Sequence, residues 1–356
     1  MSPVLKEMKN FCLPQPQLAE VSFLYENKQE QDKFEQNSWE QASCGQQNKK
    51  TQSVQLQADK QLQNSQAQDA QLQNKQQNSI IVLTDEALFN ACGVRIAFTQ
   101  RNGGISKNEF SSLNLSSTVG DSPTCVNENR SRLLQALGVE SKAIQKRLIV
   151  PKQVHKTDML TIKSLKDISE QEQCVDAVMS LVKDVPVLLC FADCVPIIIV
   201  APNGNFAVAH AGWRGALAGI AQKSLEVLSK NAKAAPNECN IYIGPHIGYC
   251  CFETSSDIFQ RFVQEYGKSI CTDRCFDAEQ VAEHNAALNK AHERTHKSHI
   301  NLSAVVICSL LRAGATKERI KDANKCTLCN NDVYFSYRAQ NTHAGRHAAF
   351  AIQRSE

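Results

Sequence analysis

The sequence predicts an α/β fold, a single mixed-sheet domain over residues 81–356, preceded by a disordered Gln-rich leader over residues 1–80. Two observations predict it. From "SIIVLTDEAL" at residue 79 onward, short β-branched runs alternate with segments of helical period. Before that point, residues 27–79 are dominated by Gln, Asn, Lys, Ser and Asp, with "QLQN" at 61–64 and again at 71–74. Such a stretch carries too little apolar surface to offset the entropy of ordering it. The globular pattern then runs for about 270 residues without an internal linker, which argues for one domain.

Each element follows from its local pattern. The apolar stretches 185–190 and 195–200 read as strands separated by Ala192-Asp193-Cys194. A Pro-Asn-Gly turn precedes a third strand, "NFAVAHAGW". In "ALAGIAQKSLEVLSKN", Leu217, Ile220, Leu225 and Leu228 fall on one helical face. "NIYIGP" is a strand, and "SSDIFQRFVQEYG" is a helix with Ser at its start and Gly at its end. "INLSAVVICSLLRAG" is a further helix ending at Gly314. "DVYFSYRAQ" and "GRHAAFAIQ" read as paired strands that close the domain.

Composition narrows the function classes. A net charge of +3 over 356 residues gives no basic footprint for nucleic acid or a membrane surface. No apolar run approaches the roughly 20 residues that span a bilayer. The N-terminal "MSPVLKEMKNFCLPQPQLAE" lacks the apolar core of a secretory signal, so the reading is cytoplasmic. The 15 cysteines fit reduced thiols, most of them compact apolar fillers, because an odd number cannot all pair internally.

The chemistry-bearing residues gather at predicted strand ends, where loops aim side chains into clefts. Cys194 and His210 sit at two such ends, and His155 in "IVPKQVHKTD" follows an apolar run and a Pro. Two imidazoles and one thiolate suit Zn²⁺ and leave a fourth position open for water or substrate. The same atoms also suit a cysteine nucleophile, Cys194 activated by His210. Sequence alone does not separate these. Asp193 is the acid candidate by its place beside Cys194. "FTQRNGGIS" sets Arg101 before Gly103-Gly104, a turn that lets backbone N–H groups approach an anion. Arg214, just beyond His210, and Arg338 and Arg346 in "SYRAQNTHAGRHA" are further guanidinium candidates. "CTLC" at Cys326–Cys329 is a CxxC, but zinc would need a second pair. Cys250-Cys251 is adjacent rather than CxxC-spaced, so "CTLC" reads as a tight turn carrying incidental thiols.

"FTQRNGGIS", "SSLNLSSTVGDSPTCVNENRSRL", "QVHKTD", "CFADCVPIIIV", "AVAHAGWRG", "IGPHIGYCCFE", "CTLC" and "YFSYRAQNTHAGRHAAFAI" occur in this order. Together they resemble the laccase-domain (multicopper polyphenol oxidase-like) family over about residues 85–355. The resemblance implies a single α/β domain with one zinc held by the His of QVH, the Cys of ADC and the His of AHAGWRG. Here these are His155, Cys194 and His210. It also implies phosphorolysis of adenosine, inosine, guanosine and S-methyl-5′-thioadenosine, and deamination of adenosine. Purine nucleosides and orthophosphate are the implied partners, Arg101 and Arg214 the candidates to hold the phosphate, and a homodimer the candidate assembly. Zinc is favoured over copper. A multicopper oxidase needs about ten His in HxH clusters, whereas this chain has nine His and no HxH. Two departures bear on substrate preference: Gln100 stands where the family has Ser or Thr, and the loop before Gly345 is longer. His246 in "GPHIG" is read as capping a turn.

Overall fold

The computed structural model describes residues 12–25, 79–168, 173–267, 270, 298–341 and 343–355. Its strands are β1 (Ala19–Leu24), β2 (Ser79–Thr84), β3 (Val94–Thr99), β4 (Met159–Ile162), β5 (Ala177–Ser180), β6 (Val187–Phe191) and β7 (Val195–Val200). After them come β8 (Phe206–Ala211), β9 (Asn240–Ile243), β10 (Glu253–Thr254), β11 (Ser298–His299), β12 (Ile320–Asp322) and β13 (His347–Gln353). The helices are α1 (Glu86–Cys92), α2 (Pro123–Ala136), α3 (Lys142–Gln145), α4 (Trp213–Leu217), α5 (Ile220–Ala232), α6 (Ser256–Tyr266), α7 (Leu302–Arg312) and α8 (Tyr337–Gln340).

Most of the strands fall into two sheets. One has the order β1-β2-β3-β13-β6 and is antiparallel throughout; the other has the order β12-β9-β7-β8-β5-β4. In the second sheet the outer pairs β12–β9 and β4–β5 are parallel and the inner pairs antiparallel. Alternation along each strand sorts side chains to opposite faces. On β7, Ile197 and Ile199 face helices α5 and α7, while Ile198 and Val200 join Leu189, Phe191, Phe98 and Ile96 between the sheets. On β6, Leu188 and Cys190 turn outward to pack with Leu133 and Leu134 of α2. The result is four layers, helix on sheet on sheet on helix, with an apolar filling between each pair. Both faces of β6, β7 and β8 are buried, which is why they read as unbroken apolar runs. Among the described residues no helix is long and apolar enough to cross a membrane.

Three sequence expectations change. The domain boundary at residue 80 is too late. Residues 12–25 belong to the fold: β1 is an edge strand paired with β2, and Leu13 and Tyr25 are buried. Arg319 Nη1 donates to Leu13 O (2.8 Å) and Asn240 Nδ2 to Pro14 O (2.8 Å), pinning the approach to β1. The Gln-rich stretch itself lies outside the described residues. Second, the helix expected from residue 216 is broken at Gly219, whose φ of +74° ends α4 and starts α5. Third, residues 332–340 form no strand. The chain turns there, burying Tyr334 and Phe335, and enters α8, where the Ser336 hydroxyl accepts from Ala339 N–H (3.2 Å). Both edges of β13 are occupied, by β3 and β6.

Candidate active site and metal centre

Antiparallel register brings the thiol and one imidazole together. Val195 lies opposite Ala211 and Pro196 opposite His210. Cys194, which leads into β7, therefore meets Gly212, which leaves β8. His210 falls on the inter-sheet face of β8, its ring 5.3 Å from that of Phe191. His155 arrives from a loop. It has a φ of +59°, in the left-handed region, and its ring stands edge-on to His210 with centroids 4.9 Å apart. The ligand atoms of His155, Cys194 and His210 all lie within 4.8 Å of one another, the first exposed, the second half-buried and the third buried.

Asp176, which the sequence reading missed, organises this convergence. It is fully buried just before β5, and its carboxylate accepts the N–H groups of Val154 (3.2 Å), His155 (2.9 Å) and Lys156 (2.7 Å). That wraps the loop around one anion and fixes the backbone of His155. The same carboxylate accepts from His210 Nδ1 at 2.9 Å, which directs Nε2 toward the cluster. Burial opposes the Asp176 charge, but the His210 hydrogen bond and the loop N–H groups outweigh it and hold the carboxyl below the ordinary range. The clue in the sequence was an Asp at the entrance of an apolar strand, "VDAVMS".

Electrostatics prepare the thiol. Burial works to raise Cys194, yet the His210 charge and hydrogen bonds to both imidazoles pull it down to about 6. Reciprocally, burial works to lower His210, while the Cys194 charge and Asp176 push it up to about 9. An anionic sulfur beside two imidazoles is a donor set for a thiophilic divalent ion. The space fits as well. Cys194 Sγ lies 3.9 Å from His155 Nε2, close to the ~3.6 Å spanned by a sulfur and a nitrogen on one tetrahedral zinc. A Cβ on Gly212 would come within 2.7 Å of His155 Cδ2 and 3.3 Å of Cys194 Sγ, so only glycine leaves the imidazole its place.

The cluster opens into a cavity of about 600 Å³ whose lining includes Arg130, Arg214, Arg338 and Arg346. That size suits a small-molecule ligand. Arg130 and Arg346 stand beside the Cys190 thiol, and burial lowers both from the ordinary guanidinium range. Arg130 Nε donates to Leu115 O (2.9 Å) and Arg346 Nη1 to Gly345 O (3.0 Å), which fixes the position of each guanidinium. Ser116, Ser117 and Thr118 line the same cavity. Arg214 lies at its edge with its guanidinium 4.2 Å from the Trp213 ring.

Two sequence assignments are corrected by geometry. Arg101 does not line this cavity: its Nε donates to Ser111 O (2.9 Å), its Nη1 to Asn331 O (2.7 Å), and its guanidinium lies 4.4 Å from the Phe335 ring. Gly104 serves the close approach of Ser112 O, which a Cβ would meet at 2.2 Å, rather than an anion. Asp193 does line the cavity, but both carboxylate oxygens are engaged. Oδ1 accepts from Thr327 Oγ1 and Oδ2 from Arg338 N–H, each at 2.6 Å. Burial pushes its carboxyl up against those hydrogen bonds. Its geometry is that of a brace between loops. His246 is buried with Nδ1 2.8 Å from Gly244 O. The "CTLC" turn is not isolated either: Cys250, Cys251, Cys326 and Cys329 converge, with all four sulfurs within 4.8 Å of one another.

Residues 95–354 match the family described as multi-copper polyphenol oxidoreductase laccase. The chain belongs to this family. Among laccase-domain relatives, a purine nucleoside phosphorylase, YlmD of Geobacillus stearothermophilus, is 31% identical over 74% of this chain and 92% of its own length. An adenosine deaminase, RL5, from an unknown prokaryotic organism is 30% identical over 71% of this chain and 92% of its own. The crystal structure of YlmD superposes with a TM-score of 0.61 at 29% identity, covering 74% of this chain and 93% of that one. The fold is thus that of the laccase-domain family, and these two relatives are named for reactions of purine nucleosides.

Proposed function

We propose that this chain is a zinc-dependent purine nucleoside enzyme. It cleaves adenosine, inosine, guanosine and S-methyl-5′-thioadenosine with orthophosphate to the free base and the (thio)ribose 1-phosphate, and it also hydrolyses adenosine to inosine. The observation that carries this reading is the convergence of His155, Cys194 and His210 on a cavity that also holds the half-buried guanidiniums of Arg130 and Arg346. Two imidazoles and one thiolate favour zinc over the several copper ions of the family's descriptive name. The names of the relatives supply the substrate class.

Bound at this centre, zinc supplies Lewis acidity and positive charge beside the reacting nucleoside. The chain's own residues do the rest. Asp176 holds His210 in one tautomer and the His155 loop in one conformation. Arg130 and Arg346, assisted by the hydroxyls of Ser116, Ser117 and Thr118, bind orthophosphate and orient it for attack on C1′ of the ribose. Their partial removal from water strengthens that attraction. Trp213, Phe252 and Tyr337 offer apolar faces for the purine, and Arg214 guards the rim. Asp193 keeps the wall in register through Thr327 and Arg338. Phosphate in its pocket directs the chemistry to C1′; in its absence water attacks the purine at C6.

Incubating the purified protein with a panel of purine nucleosides, with and without phosphate, tests the reading. Free base and ribose 1-phosphate are expected only with phosphate, and inosine plus ammonia from adenosine without it. A zinc-replete protein that turns over none of the panel overturns the proposal. Full activity in zinc-free protein would instead assign the chemistry to the Cys194 thiolate.

A further inference from the structure

We propose that this protein carries a second zinc ion, structural rather than catalytic, held by the four thiolates of Cys250, Cys251, Cys326 and Cys329. The proposal does not depend on the reading of the active centre. Two loops remote in sequence bring these sulfurs together. One follows β9 and leads into β10; the other follows β12.

Distances decide between the fates open to such a group. Cys250 Sγ and Cys329 Sγ lie 3.6 Å apart, Cys251 Sγ and Cys329 Sγ 3.4 Å, and all four sulfurs lie within 4.8 Å of one another. A disulfide needs its sulfurs at about 2.05 Å. Four sulfurs around one tetrahedral zinc, each bonded at about 2.3 Å, are separated by about 3.8 Å. The quartet has the spacing of a mononuclear tetrathiolate and is too tight to surround a polynuclear iron–sulfur cluster. Cys326 and Cys329 supply the CxxC chelate common in structural zinc sites. The second pair, though adjacent in sequence, is set on the turn that starts at Gly248.

The surroundings are built for anionic sulfur. Gly248 N–H points at Cys326 Sγ from 3.2 Å, a donor that a thiolate accepts. A Cβ on Gly248 would press on Cys250 Sγ and Cys326 Cβ, each at 3.2 Å, so glycine lets the first loop close over the second. Cys326 is buried, and the bridge between His246 and Cys326 ties the two loops by backbone as well. Four neutral thiols crowded at this spacing have little to hold them together. Zinc resolves the crowding: as it binds, four S–H groups release four protons, four Zn–S bonds form, and no electron is transferred.

The site has a purpose in the fold. Thr327, inside the CxxC turn, donates to Asp193, the neighbour of Cys194. The guanidinium of Arg338, in the cavity wall, reaches Cys251 O (3.4 Å) and Glu253 O (3.3 Å). A tetrathiolate clamp at this point fixes both loops under the cavity and stiffens the segment from which Cys194 enters β7.

The test counts metal on the full chain by mass spectrometry and reads its ligands by X-ray absorption. Wild-type protein is expected to hold two zinc ions per chain. The His155→Ala/His210→Ala variant keeps one, with a shell of sulfur alone at about 2.3 Å. Cys326→Ser and Cys329→Ser each lose that one; if either fails to fold, the absorption spectrum of the histidine variant still decides. One zinc in wild type with none in the histidine variant overturns the proposal. So does nitrogen or oxygen in the residual shell, iron in place of zinc, or a disulfide within the quartet in unreduced protein. Because the proposed site is read in a variant lacking two catalytic ligands, its failure is separate from any failure of the nucleoside assay.

Discussion

The His155–Cys194–His210 centre and the Cys250–Cys251–Cys326–Cys329 quartet are joined through one carboxylate, Asp193, yet they are built on opposite plans. The first mixes nitrogen with sulfur, leaves His155 exposed and opens into the cavity. The second is all sulfur and closes two loops on each other. Three protein ligands beside a cavity leave a coordination position for reactants, whereas four thiolates leave none. The difference teaches that the thiols of this chain divide by what surrounds them. Burial works against the Cys194 thiolate, but the two imidazoles beside it pull the thiol down to about 6, whereas Cys190, in the same cavity wall, is pushed up to about 11 by burial.

The strongest way to break this comparison is to remove a ligand from the open centre. Cys194→Ala and His210→Ala should each lower purine nucleoside turnover by about three orders of magnitude or more, the scale of losing the metal's charge stabilisation. The melting temperature of Cys194→Ala should stay within a few degrees of wild type, because that side chain holds no sheet together, whereas His210→Ala also deprives the buried Asp176 carboxylate of a partner. Quartet variants should do the reverse, with a depressed melting temperature and a smaller loss of turnover. Equal thermal destabilisation by Cys194→Ala and the quartet variants would erase the division between a working site and a structural one.

The next largest effect belongs to Asp176→Asn. The neutral amide keeps the shape but weakens its hold on the loop N–H groups and no longer fixes the His210 tautomer. Loss of such an outer partner costs about 10- to 100-fold in metal affinity or activity. Competition with a chelator of known affinity measures it. The quartet should retain its ion in this variant, and an unchanged affinity at the open centre would show that Asp176 does not set its geometry.

How much of this was legible in the sequence follows from how each residue does its work. Cys194 and His210 stand at the ends of apolar runs, and the antiparallel register of β7 and β8 carries those ends to one place. The runs themselves were readable because β6, β7 and β8 are buried on both faces. Asp176 was silent because its partners are a loop 20 or so residues upstream and a ring on another strand, and neither spacing leaves a periodic trace. Arg101 was misread because a Gly-Gly turn beside a guanidinium looks the same whether it receives an anion or, as here, the carbonyls of Ser111, Ser112 and Asn331. "VYFSY" alternates like a strand, yet Tyr334 and Phe335 are buried by a turn. The edge strand "AEVSFL" was hidden by the polar sequence that follows it. The quartet escaped because its two halves lie some 75 residues apart and only the second has zinc-like spacing.

The smallest change probes the tolerance of the open centre. Gly212 has φ −65° and ψ 166°, a backbone conformation that any residue adopts, so Gly212→Ala adds volume without backbone strain. Its methyl group would stand 2.7 Å from His155 Cδ2. Overpacking of that order costs about 1–2 kcal/mol, and displacing His155 should weaken zinc at this centre by about 10-fold while sparing the quartet. His155 is the exposed ligand and can yield; buried His210, held by Asp176, cannot. The zinc affinity of Gly212→Ala should therefore fall to that of His155→Ala at worst, and adding Gly212→Ala to His155→Ala should cost nothing further. A double variant much weaker than either single one would mean that Gly212 acts on Cys194 or His210 as well, and that the centre is rigid throughout rather than at its buried end alone.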